Sequence, residues 1–452
     1  MKKRILSILL CCVMLAGMLP TVALAAGSAL TQTHTHCICG GNTDVGDHTS
    51  HTNVTYQPWD GTSAIDYGDD NTAYVYLTDN VTIKSNLEVK GGMTLYLCLN
   101  GKTFASNGTN KIVVKENSRF ILCDCAGGGT IDGADSGWGG TGIYLYNSTM
   151  DMYGGKITGG YASGNGGGGA IALDDVNCIF NMYGGEISGN RAKVNGGAIF
   201  LNGKSKSKES GTMNLYGGTI SKNSAANGGA IYAVYCGSVN IYGGTISNNK
   251  ASKFGGAILL NFDGQMTMSG GTITGNEAGT WDGGAISLYN STFTFSDGMI
   301  TGNKAVDGGA INLDYYSQMT MTGGTISNNT ATEKGGAVYM YGENSTFNFS
   351  GGTITGNEAV NGGAIYLQPD KIFGDSAQCT LNMSGGEISG NKATGNGGAV
   401  YFYEEGDSSE QGKLNISGNP VVKDNTVSGK ANNIYLKSGK TLSLSIDHMM
   451  TD

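Results

Sequence analysis

The chain has 452 residues, of which 77 are glycine and 4 are proline, and its formal net charge at pH 7 is −9. Glycine well above its usual share of about 7%, without matching proline, indicates turns and excludes a collagen or a proline-rich linker. The acidic balance disfavours nucleic acid and anionic membrane surfaces as partners.

Residues 1–25 predict a secretory signal peptide. A basic tripeptide at residues 2–4 precedes a largely apolar run, and Ala23-Leu24-Ala25 supplies small residues for cleavage. We therefore expect a secreted or cell-surface protein whose mature chain begins at Ala26. No later segment is apolar enough to span a membrane, so we expect no transmembrane span in the mature chain.

Residues 26–60 form a polar segment that is rich in histidine and cysteine. Imidazole and thiolate groups are the donors that tetrahedral zinc prefers. The candidate ligands of such a zinc ion are His36, Cys37, Cys39, His48 and His51. The Cys-x-Cys spacing differs from that of common zinc fingers, and a flexible linker with a Cys37/Cys39 redox pair stays open as the alternative.

One repeat dominates residues 61–452. The triplet Gly-Gly-Ala, followed by Ile or Val, recurs at intervals of 25 to 35 residues, and it begins at Gly168, Gly196, Gly228, Gly255, Gly283, Gly308, Gly335, Gly362 and Gly397. A second block, Gly-Gly-x-Ile, interleaves with the first. A period of this length is typical of a solenoid in which each unit forms one coil.

Within each unit, apolar residues alternate with the period of two that marks a strand with one buried face. The first strand carries pairs such as Ile199 and Leu201, the second carries pairs such as Met213 and Leu215, and the third carries one isoleucine, such as Ile220. The pattern predicts an all-β fold, a right-handed parallel β-helix with three short strands per coil. Like residues should stack at the coil spacing of about 4.8 Å.

An asparagine lies three residues after each third-strand isoleucine. The members of this series are Asn190, Asn223, Asn249, Asn276, Asn303, Asn329, Asn357 and Asn391. Because every unit repeats the residue, we expect an internal ladder of amides that hydrogen-bond one another along the axis. A row of ligand-binding residues is the less favoured alternative.

The repeated run is similar to that of a known family. Ile-x-x-Asn-x-Ala at residues 354–359, followed by Gly-Gly-Ala-Ile at 362–365, resembles the GGAI/FxxN repeats of chlamydial polymorphic membrane proteins. It also looks like the repeats of the wider pectin-lyase-like superfamily of right-handed β-helix proteins on bacterial surfaces. The resemblance covers about residues 85–445 and implies a β-helix and an adhesin.

Tyrosines occupy many outward positions of the first strand, where exposed rings suit sugar stacking or protein contact. The candidate ligand-binding residues are Tyr232, Tyr289, Tyr339, Tyr341, Tyr366, Tyr401 and Tyr403. A second outward row precedes the Gly-Gly-x-Ile block and consists of Tyr153, Tyr183, Tyr216 and Tyr242. Tyrosine also simply suits a strand, and both interpretations stay open.

Cys98 and Cys123 occupy matching positions in two early coils. If these coils stack there, the separation of the two Cα atoms would allow a disulfide. Cys125 has no evident mate.

Catalytic signals are weak in the repeats. No histidine lies between His51 and His448, and the adjacent acids Asp174 and Asp175 would point to opposite faces of a strand. We therefore expect a non-enzymatic adhesive or scaffolding protein, with a polysaccharide or a host or cell-surface protein as its partner. A polysaccharide lyase or glycoside hydrolase, or a carbohydrate-binding solenoid, is the alternative.

Overall fold

The structure is a computed structural model that describes residues 34–37, 53–133, 142–164, 166–174, 177–203, 211–280, 283–370, 377–403 and 410–435. The chain divides after His34, and the description concerns the unit Thr35–Asp452. The predicted signal peptide lies outside the described residues, and so do Cys39, His48, His51 and the side chain of Cys37.

Strands of successive coils pair in parallel and build three long sheets, called sheets one, two and three. Thr426–Val427 pairs with Lys430–Ala431 in the antiparallel direction. The predicted all-β parallel β-helix is therefore confirmed. In the part of the chain that the structure describes, no helix has the length and apolar character of a membrane-crossing segment.

Sheet one contains the second and third predicted strands of each coil, which merge into single ten-residue strands in four successive coils. It already includes Asn53–Trp59, upstream of residue 61. Its described strands are His34–Cys37, Asn53–Trp59, Thr72–Leu77, Val81–Thr82, Thr94–Cys98, Thr103–Ala105, Arg119–Cys123, Thr130–Asp132, Thr149–Met152, Lys156–Thr158, Ile179–Met182, Glu186–Ser188, Thr212–Leu215, Thr219–Ser221, Ser238–Ile241, Thr245–Ser247, Gln265–Thr274, Thr292–Thr301, Gln318–Ser327, Thr346–Thr355, Ala377–Met383, Glu387–Ser389, Glu410–Ile416 and Val421–Lys423.

Sheet two is built from the first predicted strand of each coil. Its strands pair in register, so that Ile199 lies between Ile171 and Ile231 in the neighbouring coils. Its described strands are Leu87–Val89, Ile112–Lys115, Ile143–Tyr146, Ile171–Asp174, Ile199–Asn202, Ile231–Val234, Ile258–Asn261, Ile286–Tyr289, Ile311–Asp314, Val338–Tyr341, Ile365–Gln368, Val400–Phe402 and Ile434–Tyr435.

Sheet three adds a short strand that was not distinguished in the sequence. It follows the repeated asparagine and usually buries one alanine, such as Ala192 or Ala251. Its described strands are Tyr161–Ala162, Arg191–Ala192, Ser224–Asn227, Lys250–Phe254, Glu277–Ala278, Lys304–Asp307, Thr330–Lys334, Glu358–Asn361, Lys392–Asn396, Thr426–Val427 and Lys430–Ala431.

One continuous apolar core fills the coils from Trp59 to Leu414. The paired glycines lie at the corner before each strand of sheet two, and the first and second positions require glycine for different reasons. Gly308 has a φ of +60°, which disfavours any residue with a side chain. At Gly309 a Cβ atom would lie 2.3 Å from the backbone oxygen of Gly336 in the next coil. The triplet is therefore a consequence of close coil stacking.

The predicted asparagine ladder is confirmed and extends to Asn425. From Asn190 onward, each Nδ2 donates to the Oδ1 of the asparagine in the next coil, at 2.9 to 3.0 Å. The same Oδ1 also accepts the backbone N–H of the preceding asparagine, as Asn303 Oδ1 does from Asn276 at 2.9 Å. The ladder side chains are buried. They satisfy backbone groups that the turn would otherwise leave without partners.

Candidate functional site

The outer face of sheet one carries a row of four stacked tyrosines, here called the tyrosine row: Tyr153, Tyr183, Tyr216 and Tyr242. Neighbouring ring centres are 4.7 to 4.9 Å apart and the ring planes agree within 12°. This spacing follows from the coil repeat of about 4.8 Å. Tyr216 is 41% exposed and Tyr242 is 46% exposed. The row therefore forms a rigid aromatic strip that reaches solvent.

A second row of polar side chains runs beside the tyrosine row. Two residues before each tyrosine lies an asparagine or an aspartate, and alternation along the strand places both rows on one face. Asn181 Nδ2 donates to Asp151 Oδ1 at 2.8 Å, and Asn214 Nδ2 donates to Asn181 Oδ1 at 2.8 Å. Asn240 continues the series at 2.9 Å. We call Asn181, Asn214 and Asn240 the outer asparagine row.

The outer asparagine row ends at an ion pair. Arg119 Nε lies 2.6 Å from Asp151 Oδ2, and the Asp151 side chain is fully buried while that of Arg119 is half exposed. The carboxylate thus receives the guanidinium on one oxygen and the amide of Asn181 on the other.

The tyrosines predicted on sheet two differ in exposure. Tyr232 is 8% exposed, and Tyr339 and Tyr366 are each 3% exposed, so the expectation of exposed rings is wrong for these three. Tyr232 packs in an outer apolar cluster with Phe200. The ammonium group of Lys334 lies 5.4 Å from the ring centre of Tyr339 and 6.0 Å from that of Tyr366.

Tyr289, Tyr341, Tyr401 and Tyr403 are half-buried. The ring of Tyr401 stacks between those of Tyr366 and Tyr435. Whether any of the seven sheet-two tyrosines binds a ligand stays a prediction.

Acidic groups accompany these tyrosines where the strands of sheet two end. Burial raises the pKa of Asp314 from 3.8 to about 7. The Asp314 carboxylate accepts the backbone N–H of Tyr315 at 3.1 Å, and the hydroxyl of Tyr341 donates to Asp370. Burial raises the pKa of Tyr341, and the hydrogen bond to Asp370 raises it further. Asp314 can therefore exchange a proton near neutral pH.

A shallow cleft of about 350 Å³ lies on sheet two near its first strands, and its lining includes Glu88, Lys111, Tyr144 and Asp174. The Tyr144 hydroxyl donates to Asp174 Oδ2 at 2.8 Å. The Lys111 ammonium lies 5.7 Å from the centre of the Tyr144 ring. Burial lowers the pKa of Lys111 and raises that of Tyr144. The cleft thus brings together acidic, basic and phenolic groups that are far apart in the sequence.

A cluster of one histidine and two cysteines lies at the start of the same outer face of sheet one. The potential ligand atoms of His36, Cys98 and Cys125 all lie within 4.8 Å of one another. The sulfur atoms of Cys98 and Cys125 are 3.3 Å apart. A hydrogen bond with Cys123 raises the pKa of the Cys98 thiol to about 12, and the bond with Cys98 raises the pKa of Cys125.

Tyr56 packs against this cluster. Its ring stacks on the ring of His36 at 4.2 Å between centres, and its hydroxyl lies 3.7 Å from Cys123 Sγ. Cys98 and Cys123 are register partners, as predicted. However, Cys98 Sγ also contacts Cys125, which was expected to have no mate.

Of the predicted metal ligands, His36 is the one whose side chain the structure describes, and it meets two cysteines that were not in the predicted set. The other four, Cys37, Cys39, His48 and His51, stay predictions. The sequence did contain a signal for the position of Cys125. Cys123 and Cys125 are two residues apart, and residues at that spacing in a strand lie on the same face.

Four segments of the chain match the Chlamydia polymorphic membrane protein (Chlamydia_PMP) repeat: residues 217–234, 243–261, 323–340 and 386–403. No curated protein and no solved structure matches the chain significantly. Each matched segment covers parts of one coil in chain order. It contains the third predicted strand, which lies in sheet one, then the ladder asparagine, the strand of sheet three, and most or all of the strand of sheet two. The chain is therefore a parallel β-helix repeat protein whose coils resemble the repeat of chlamydial polymorphic membrane proteins.

Proposed function

We propose that the protein is a non-enzymatic adhesin, exported by its N-terminal signal and displayed at a cell surface, that contacts a surface protein of another cell through the tyrosine row. The resemblance to repeats of chlamydial surface adhesins supports the adhesive role. The exposed, stacked tyrosine row is the observation that carries the proposal.

The chemistry of the tyrosine row suits a protein partner. Each ring covers a face of the next, so the row offers ring edges and phenol hydroxyls to solvent. Tyrosine supplies large and rigid contact area at low cost in side-chain entropy. The outer asparagine row adds amide donors and acceptors beside this strip. An extended strip of this kind fits a flat protein surface better than a pocket-bound small molecule.

The test compares two tyrosine variants in a cell-binding assay. In Tyr216→Ser/Tyr242→Ser, each tyrosine is replaced by serine, the residue that the coil after Tyr242 carries at this position as Ser269, so the strand should be retained. We expect binding of the labelled full chain to target cells to fall at least tenfold. The control is Tyr235→Ser, which removes an exposed tyrosine elsewhere and should bind as the parent does. Equal loss in both variants would contradict the role of the tyrosine row.

Enzymatic treatment of the target cells identifies the partner. Protease treatment should abolish binding if the partner is a protein. Loss of binding after glycosidase treatment alone would instead indicate a carbohydrate-binding solenoid, for which the outward face of Tyr242, beside Ser269, would be the stacking surface.

A second candidate function is a polysaccharide-active enzyme, which the cleft with Lys111, Tyr144 and Asp174 favours. Groups with shifted pKa values in a cleft are typical of catalytic sites. Incubation with acidic and neutral glycans, followed by assays for reducing ends and unsaturated products, tests this function. Products formed by the parent chain but not by Tyr144→Phe would replace the adhesin proposal with the enzyme.

A further inference from the structure

The structure assigns a zinc site to His36, Cys98 and Cys125, at the start of the outer face of sheet one. This site is independent of the adhesive function proposed above. The three ligands come from separate parts of the chain: the strand His34–Cys37, the strand Thr94–Cys98 and the residues just after Arg119–Cys123. Their potential ligand atoms nevertheless converge within 4.8 Å.

The geometry fits zinc. Two thiolates on one tetrahedral zinc ion, each at about 2.3 Å, would be about 3.8 Å apart. The Cys98 and Cys125 sulfur atoms already lie 3.3 Å apart, so a small outward movement would accommodate the ion. Imidazole and thiolate are the donor types that zinc selects over calcium and magnesium, which prefer oxygen.

The surroundings also fit a metal centre. Cys98 is buried in a small outer cluster with Tyr56 and Cys123. The Tyr56 ring stacks on His36 and fixes its plane. Such an apolar shell and such an orienting contact limit water access and hold first-shell ligands in place.

A tetrahedral zinc ion takes a fourth donor. The proposed site accepts a water molecule at the fourth position.

The consequence of zinc binding would be a clamp on the first coils. The strand Asn53–Trp59 pairs with Thr72–Leu77, and His34–Cys37 pairs with Asn53–Trp59. A zinc ion would join that outlying strand to the stack at Cys98 and Cys125. Free strand edges invite unwanted pairing, and the binding energy of a structural zinc ion contributes directly to folding.

The experiment measures zinc in the full chain, purified under reducing conditions, by mass spectrometry of the metal and by competition with a chromophoric chelator. We expect about one zinc per chain in the parent and in the control Cys178→Ala, which removes a buried thiol elsewhere. Cys98→Ala/Cys125→Ala should lose at least tenfold in zinc affinity. Unchanged metal content in that variant would overturn the proposal.

Cobalt substitution of the parent chain avoids dependence on how well a variant folds. Cobalt in the parent should show the thiolate charge-transfer and tetrahedral ligand-field bands of a mixed sulfur and nitrogen site, and His36→Ala should shift the ligand-field bands. Absence of thiolate bands in the parent would overturn the assignment.

The variant Cys37→Ala/Cys39→Ala separates this site from the one that the sequence predicts. Zinc that is kept in that variant and lost in Cys98→Ala/Cys125→Ala supports the site. If that variant loses zinc while Cys98→Ala/Cys125→Ala keeps it, the site lies elsewhere. Peptide mapping that finds a Cys98 to Cys125 disulfide and no zinc in the exported protein would likewise refute the proposal.

Discussion

Replacing Asn303 by alanine should test the asparagine ladder most directly. The Asn303 amide donates to the carbonyl oxygens of Ile273 and Thr301, both at 3.1 Å, and to Asn329 Oδ1 at 2.9 Å. Its oxygen accepts the backbone N–H and the side-chain amide of Asn276 at 2.9 and 3.0 Å. The variant removes all of these bonds from a fully buried position.

The expected cost follows from the hydrogen bonds. The two amide protons of Asn303 are shared among three acceptors, so the side chain makes about four full bonds. Each contributes about 1 kcal/mol net, and a donor left buried without a partner adds to the loss. The backbone N–H of Asn276 becomes such a donor. We therefore expect Asn303→Ala to lower the free energy of unfolding by about 4 kcal/mol.

Urea unfolding and amide hydrogen exchange measure this loss. Because each coil contacts mainly its neighbours, exchange should quicken in the strands Glu277–Ala278 and Lys304–Asp307 and stay slow at Thr94–Cys98. The matched control is Asn240→Ala in the outer asparagine row, where one bond is lost and about 1 kcal/mol is expected. A cost for Asn303→Ala no greater than the control's would refute the reasoning.

Three further substitutions test the corner, a carboxyl group and the ion pair. Gly309→Ala should cost several kcal/mol in urea unfolding, because its Cβ would lie 2.3 Å from a backbone oxygen. Asp314→Asn should raise the free energy of unfolding at pH 8 by up to roughly 4 kcal/mol. The raised pKa of Asp314 favours the neutral acid in the folded state, so its stabilisation is complete below about pH 4 and is lost as the pH rises through about 7. Arg119→Met should cost about 2 kcal/mol, because the buried carboxylate of Asp151 loses its cation. Adding Asp151→Asn should recover most of that loss in the same unfolding assay.

Each of these has a distinguishing result. At Gly92 the added Cβ would meet no atom within 4 Å. Gly92→Ala should therefore lower the free energy of unfolding by only about 1 kcal/mol, because of its positive φ. If Gly309→Ala lowers it by the same amount, crowding at Gly309 is not the cause. A stability profile of the parent that rises between pH 4 and 8, and is unchanged by Asp314→Asn, would contradict the burial of an acid. If the double variant Arg119→Met/Asp151→Asn is no more stable than Arg119→Met, loss of the ion pair does not explain the lower free energy of unfolding of Arg119→Met.

The repeated part of the fold could be predicted because each coil restates the same constraints. Stacking of Ile199 over Ile171 follows from the period of two together with a constant unit, and the ladder follows from one asparagine per unit. Sheet three could not be separated in the same way. A two-residue strand such as Arg191–Ala192 is too short to show any alternation.

Prediction fails where contacts depend on what covers a strand. Alternation correctly places Tyr232 and Tyr339 on the outward side of sheet two, but it says nothing of the neighbouring side chains and turns that bury them. The His36, Cys98 and Cys125 cluster has the same origin. It forms because a non-repeating strand upstream of the coils, His34–Cys37, joins sheet one, and no periodicity encodes that placement.

The two asparagine rows have opposite electrical polarity. In the ladder, each side-chain N–H points toward the next coil, as from Asn190 to Asn223. In the outer asparagine row each N–H points toward the preceding coil, from Asn240 through Asn181 to the carboxylate of Asp151. Aligned amide dipoles act as a fixed partial charge at the end of a row. The buried anion of Asp151 therefore lies at the positive end of the outer asparagine row.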